Sequence, residues 1–159
     1  KTPAIAKAVI LAAMEGVREG MKKAGKNATD EPIPVSVKTR IGYNKNEMET
    51  WLPILLAEDI VVLTVHLRTR KEMSKVPAHW DLMKRIVEIR DEMKKETLII
   101  GNGDIMSVEE AQQKVDETGC DGVMMGKAIF GNPWLFNKDK QYPELKEKLK
   151  QFVGLFFCL

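Results

Sequence analysis

The chain is short of the residues that staple a fold or anchor it in a bilayer. It has two cysteines, Cys120 and Cys158, in 159 residues. That is too few for a disulfide framework, so a reducing, cytoplasmic setting is the expectation. No apolar run approaches the roughly 20 residues that a membrane helix needs, and no stretch at the start has the pattern of a signal peptide. No membrane partner and no metal site are therefore expected. A net charge of +2 neither calls for nor excludes a nucleic-acid partner. What remains, 44% hydrophobic and 30% charged residues, is an ordinary globular composition at about one domain's length.

Two stretches organise the rest: Thr97–Asp104 (TLIIGNGD) and Gly122–Lys127 (GVMMGK). In each, a short apolar run breaks into glycine and polar residues ahead of helix-like sequence. A buried strand ending this way leaves backbone N–H groups free at its carboxyl end. A pair of such loops on neighbouring parallel strands can grip a phosphate or another anion.

Around them the periodicities alternate. A helix is predicted from Pro3, capped by Thr2, with Ile5, Val9, Val17 and Met21 inward and Gly25 as its stop. Alternation over Val35–Ile41 predicts a strand with Val35, Val37 and Ile41 on one face and Ser36, Lys38 and Arg40 on the other. A helix across Trp51–Glu58, capped from Asn46 and Glu49 and interrupted by Pro53, leads to a buried strand at Ile60–Val65. Trp80–Lys95 reads as a helix and Leu98–Ile100 as a strand. A helix from Ser107, with Glu110 completing a capping box, leads to the last strand at Val123–Met125. Ala128–Phe136 and a charged segment from about Pro143 read as helical, and the apolar tail Phe152–Leu159 as one side of a helix packed outside the chain.

The expected fold class is α/β: a helix, then four βα units with a parallel sheet, because each interval between strands is long enough for a crossover helix. Four units are half of a (β/α)8 barrel of about 250 residues. The domain reading is a partial barrel over 1–136 and the start of a helical segment over 137–159. Open barrel edges predict self-association or membership of something longer.

Five blocks carry a resemblance: Val37–Gly42 (VKTRIG), Leu63–His66 with Arg68–Arg70, Ile100–Ile105 (IGNGDI), Thr118–Gly126 (TGCDGVMMG) and Gly131–Phe136 (GNPWLF). Together, in order and rough spacing, they resemble the tRNA-dihydrouridine synthases. The resemblance implies an FMN-containing TIM barrel in which NADPH reduces the flavin. Hydride then passes to C6 of a uracil flipped out of tRNA, and a cysteine acid protonates C5. Carried onto this chain, it implies Lys38 against the N1/O2 side of the isoalloxazine, where a cation steadies the anionic reduced ring. It implies His66 contacting the flavin from the next strand, Asn102, Gly103 and Asp104 as one phosphate and ribityl loop, and Gly126 with Lys127 as the other. It also implies tRNA as partner, with Arg40, Arg68 and Arg70 toward the substrate.

The acid cysteine is expected N-terminal to residue 1, with the first half of the barrel, so no catalytic residue is assigned in this chain and activity of the chain alone is not expected. Cys120 precedes the last strand, at the end away from the flavin. Leu67 stands where the family has glycine, with a crowded flavin edge or an altered loop as the expected consequence. Lys127 stands for an arginine, which turns a bidentate clamp into a point charge.

Residue by residue, blander readings stay open. Lys38 fits a solvated strand end, and His66 a satisfied core or edge histidine. Asn102-Gly103 fits a hairpin turn, although a capped helix at Ser107 argues against one. Arg68 and Arg70 fit a solvated loop as well as salt-sensitive phosphate contacts. Arg40 either lines a substrate mouth or pairs with a barrel carboxylate. Two rival functions stand beside the first: another FMN- or phosphate-binding barrel acting on a small metabolite, and a non-catalytic half-barrel that binds RNA or a partner.

Overall fold

The computed structural model describes residues 3–25, 33–137, 139 and 144–146. The Thr2 cap and nearly all of the segment 137–159, with its apolar tail, lie outside the described residues. The element order is α1 (Pro3–Lys23), β1 (Ser36–Arg40), α2 (Met48–Leu56), β2 (Val62–His66), α3 (Met83–Glu92), β3 (Leu98–Asn102), α4 (Val108–Thr118) and β4 (Gly122–Met124). The strands form one sheet in the order β1-β2-β3-β4, and every pairing is parallel. Each strand is added on the same side of the one before, with a helix between. This is the wall of a (β/α) barrel, and the three βα units with the fourth strand are a fragment of one.

The register sorts the side chains. Val37, Leu63, Ile99 and their i+2 neighbours share one face, and Lys38, Thr64 and Ile100 the other. The first face carries the core. Leu63, Val65 and Ile99 are fully buried there, beneath Leu52, Leu55 and Leu56 of α2 and Met83 and Ile86 of α3. The second face is open among the described residues: Leu98 is 44% exposed and Met124 39%. No described helix is long and apolar enough to cross a membrane.

Several local expectations are corrected. The inner side of α1 is Ala6, Ile10 and Met14, while Ile5 and Val9 are 63% and 62% exposed. The helix meets the rest of the protein along a narrow i, i+4, i+8 seam, reinforced by Lys7 on the buried Glu58 at 2.8 Å. Pro53 does not interrupt α2. A proline costs a helix interior about 3 kcal/mol, and burying Leu52, Leu55 and Leu56 at about 1.5–3 kcal/mol each outweighs it. The N-cap of α2 is Glu47 rather than Asn46; Asn46, one residue earlier, accepts from the Met48 N–H at 3.0 Å, and Glu49 is held by Arg85. The helix at Ala128–Phe136 is only a 3-10 turn over Lys127–Ile129, followed by turns at Gly131 and Pro133. At α4, Ser107 Oγ accepts from the Glu110 N–H at 3.1 Å, and the Glu110 carboxylate reaches one residue further back, to the Met106 N–H at 2.8 Å.

Candidate functional site

The carboxyl ends of the strands converge on one rim. His66 is in register with Arg40 on one side and Asn102 on the other, and Asn102 with Met124. Lys38 reaches across β2 so that its Nζ donates to Asn102 Oδ1 at 3.0 Å, while Asn102 Nδ2 donates to the Met124 carbonyl at 2.8 Å. One amide thus ties β1, β3 and β4 together. The hairpin reading of Asn102-Gly103 is excluded by the parallel pairing.

Beside this bridge lies a hollow of ≈ 320 Å³, lined among others by Arg40, His66, Asn102, Asp104, Gly126 and Lys127. The two glycine-containing turns therefore face one space. Its ionised lining is three cations, Arg40, Arg68 and Lys127, against the one carboxylate of Asp104. The N–H groups of Asp104, Ile105, Gly126 and Lys127 donate to no acceptor among the described residues. Unspent donors in a cationic concavity, at the carboxyl edge of a parallel sheet, are the chemistry that can hold an anion.

The loop after β3 is shaped from behind. Gly103 has φ +137, and a Cβ there would stand 2.7 Å from Ala78 Cβ. A Cβ on Gly101 would meet the Trp80 ring at 2.6 Å, and Trp80 Nε1 donates to the Gly103 carbonyl at 2.8 Å. Only glycine lets the indole and the residue 78 segment lie this close. Asp104 accepts from the Ala78 N–H at 2.7 Å and pairs with Arg68. Its carboxylate is a latch on the loop, and the loop's N–H groups are what remain for a ligand.

Arg68 departs from the sequence reading. It is 5% exposed, and its guanidinium is fully engaged: Nε donates to the Val76 carbonyl at 2.6 Å, one terminal nitrogen pairs with Asp104, and the other lies 3.3 Å from His66 Nε2. Its charge lines the hollow, but its nitrogens are held by protein partners rather than turned out to a substrate phosphate. Arg40 donates to the Thr69 carbonyl at 3.1 Å. It also lines an adjoining groove of ≈ 1060 Å³ with the exposed Arg70, Tyr43, Lys45 and Trp51. Leu67 is fully buried and belongs to the core on the helix-covered face, opposite His66. It does not crowd the hollow.

Electrostatics follow from this crowding of positive charge. Burial, then Arg40, Lys38 and Arg68, pushes the His66 imidazole down to about 4 against the weaker pull of Asp104, so it is neutral near pH 7. Burial and then Arg40 lower the Lys38 ammonium from its ordinary value. The hydrogen bond from Arg68 holds the Asp104 carboxyl below the usual carboxylate range.

Several shaping residues escaped the sequence reading, and one left a signal there. Thr69 and Glu72 are three apart, a capping-box spacing, and the box forms: Thr69 N–H to Glu72 at 2.7 Å, Glu72 N–H to Thr69 Oγ1 at 3.2 Å. His79 closes the knot on Glu72 at 3.0 Å. Trp80 left none, since its reach to Gly103 depends on tertiary packing. No group of three or more His, Cys, Asp or Glu suited to a metal occurs among the described residues.

Known proteins match this sequence over most of its length. The family model described as dihydrouridine synthase matches residues 8–155. A Bacillus subtilis (strain 168) protein named "Probable tRNA-dihydrouridine synthase 2" is 46% identical over 118 residues, 74% of this chain and 36% of its own length. A Staphylococcus aureus (strain Mu50) protein named "Probable tRNA-dihydrouridine synthase" is 47% identical over 128 residues, 78% of this chain and 39% of its own length. A Staphylococcus epidermidis protein of the same name is 46% identical over 118 residues. The chain thus spans under two-fifths of the length of the curated relatives it matches. The family match runs over residues 8–155, through the blocks whose Asn102–Asp104, Gly126 and Lys127 line one hollow with Arg40 and His66: the chain belongs to the dihydrouridine synthase family.

Proposed function

We propose that this chain is the flavin-gripping part of a tRNA-dihydrouridine synthase, which reduces uridine in tRNA to 5,6-dihydrouridine with FMN as cofactor and NADPH as reductant. One observation carries the reading: the turns at Asn102–Asp104 and Gly126–Lys127 and the Lys38 ammonium meet on one rim of a parallel barrel wall. The donor set fits FMN. Free N–H groups and Lys127 suit a dianionic phosphate, and a hollow of ≈ 320 Å³ with Lys38 at its side suits a phosphate and ribityl chain entering beneath a ring.

When bound, FMN supplies the hydride that saturates the uracil 5,6-bond. This chain's residues bind and orient. Asn102 holds the Lys38 ammonium in place by its carbonyl oxygen, so a positive charge is preorganised beside the ring. Burial and then Arg40 lower that ammonium from its ordinary value, and an anion bound beside it would oppose the lowering. His66 offers an uncharged imidazole from the middle of the rim. Arg40, at the junction of hollow and groove, and the exposed Arg70 are oriented for tRNA. Arg68 is reassigned from substrate contact to support. The flavin site spans 1–136, a tRNA-modifying role sets the protein in the cytoplasm, and the protonating cysteine belongs to the remainder of the barrel.

The test is made on the full-length protein. It is expected to purify with a flavin absorbance spectrum that Lys38→Ala combined with Asn102→Ala removes. Its deletion should erase dihydrouridine from at least one tRNA position by mass spectrometry. A full-length protein that never takes up FMN refutes the cofactor, and a deletion strain with unchanged tRNA refutes the substrate.

A further inference from the structure

We propose that Arg68 is a positioning residue that fixes the tautomer of His66, so that the imidazole always presents an Nδ1–H donor to the ligand hollow. A guanidinium has only donors. With an Arg68 terminal nitrogen 3.3 Å from His66 Nε2, that nitrogen must be the acceptor, and the single ring proton sits on Nδ1.

The geometry holds this arrangement from both sides. Arg68 cannot swing away, because Nε is fixed on the Val76 carbonyl and another nitrogen on Asp104, and the side chain is 6% exposed. The Cδ2–Nε2 edge of the imidazole faces Gly103, where a side chain would stand 3.3 Å from Cδ2 and 3.6 Å from Nε2, so the glycine leaves the ring the room to meet Arg68. Nδ1 has no protein partner among the described residues, and no unpartnered buried side-chain nitrogen or oxygen occurs there, so Nδ1 reaches solvent, and the residue that carries it lines the hollow. The charged groups around the ring are Lys38 and Arg40 from β1, Arg68 after β2 and Asp104 after β3. Three of the four are cations, and they oppose a second ring proton. His66 is thereby a fixed donor for an oxygen or nitrogen acceptor of the bound ligand, and not an acid or base near neutral pH. This holds whether or not the ligand is FMN.

Nitrogen-15 histidine spectra of the full-length protein, recorded without FMN, test it directly. The His66 signals are identified by their loss in His66→Gln. Two-bond correlations should show a protonated Nδ1 and a lone-pair Nε2 at pH 7. In Arg68→Met the pattern should shift toward the Nε2–H form and the titration midpoint should rise toward the ordinary histidine value of about 6.5. Arg68→Lys, which keeps the charge without the fork, should also release the tautomer, whereas Asp104→Asn, which keeps an acceptor for Arg68, should not. A wild-type Nε2–H tautomer, or an Arg68→Met spectrum like wild type, overturns the inference. Adding FMN to the same sample separates the two claims. A silent titration refutes the flavin reading and leaves the apo tautomer result standing.

Discussion

Replacing Asn102 by aspartate preserves the shape of the side chain, swaps a donor for an acceptor and adds a negative charge at the rim. Lys38 keeps its acceptor, and a contact already charge-assisted by the ammonium becomes an ion pair, which is stronger. The bond from Nδ2 to the Met124 carbonyl is lost, and two oxygens face each other where they were 2.8 Å apart as donor and acceptor. A hydrogen bond of this kind is worth about 0.5–1.5 kcal/mol net, so the gain at Lys38 and the loss at Met124 roughly cancel in stability. Ligand binding has no such cancellation. Taking a separation of ~6 Å for the proposed phosphate, two like charges cost about 3 kcal/mol at an effective dielectric near 20, or roughly a hundredfold in affinity. Asn102→Ala adds no charge and is expected to weaken FMN by much less while losing more stability. The measurements are flavin-fluorescence titration of the apo full-length protein and urea unfolding of the same samples. If Asn102→Asp binds FMN within about threefold of wild type at low salt, the anion is not held at the β3–β4 rim and the site assignment is wrong.

Three further outcomes follow from the same geometry. Because the folded His66 titrates near 4 and an unfolded histidine near 6.5, the unfolded chain binds more protons between those values, so stability is full above about 6.5 and falls as pH drops toward 4; denaturant unfolding of His66→Gln across that window should show a shallower slope. Leu67→Ala should destabilise by about 2–5 kcal/mol in urea, as a cavity on the covered face, and leave FMN affinity unchanged; tighter flavin binding would instead mean that Leu67 crowds the ring. Arg70→Ala should weaken tRNA binding without touching FMN affinity and reduce the salt slope by about 1 in a filter-binding series.

What could be read from the residues alone was whatever depends on short-range pattern. Alternation at Val35–Ile41 placed Lys38 and Arg40 together on one face, and the glycine-polar breaks after two apolar runs marked the ends of β3 and β4. Sequence pattern failed where a third body decides. The inner face of α1 was misjudged because its apolar residues run nearly all round, so that only the position of α2 selects Ile10 over Ile5 and Val9. Arg68 and Arg70 look alike in Arg-Thr-Arg, yet one is buried and the other exposed. The difference lies with the Val76 carbonyl and Asp104, eight and thirty-six residues away. A capping box at Thr69–Glu72 was legible and went unread, and it is what turns the chain back so that Val76 can meet Arg68.

The two ends of the sheet use similar residues to opposite effect, and the contrast says which family blocks act on a ligand. At the amino end, Asp121 accepts from the Ile99 N–H and from Arg90, each at 2.7 Å, Thr97 Oγ1 donates to the Ile60 carbonyl at 3.0 Å, and the buried Cys120 thiol donates to the Gly122 carbonyl at 3.4 Å. Every one of those polar groups is satisfied within the protein, so the Thr118–Gly122 block fastens β4 and has nothing left to offer. At the carboxyl end the accounts do not close: cations outnumber carboxylates, and four loop N–H groups have no acceptor among the described residues. Satisfied groups stabilise, and leftover groups of one sign in a concave rim bind. The same Gly-Asp pairing is therefore structural at Asp121-Gly122, whereas at Gly103-Asp104 the carboxylate is held by Arg68 and the Ala78 N–H and the backbone N–H beside it is left without an acceptor among the described residues, as the proposed anion site requires.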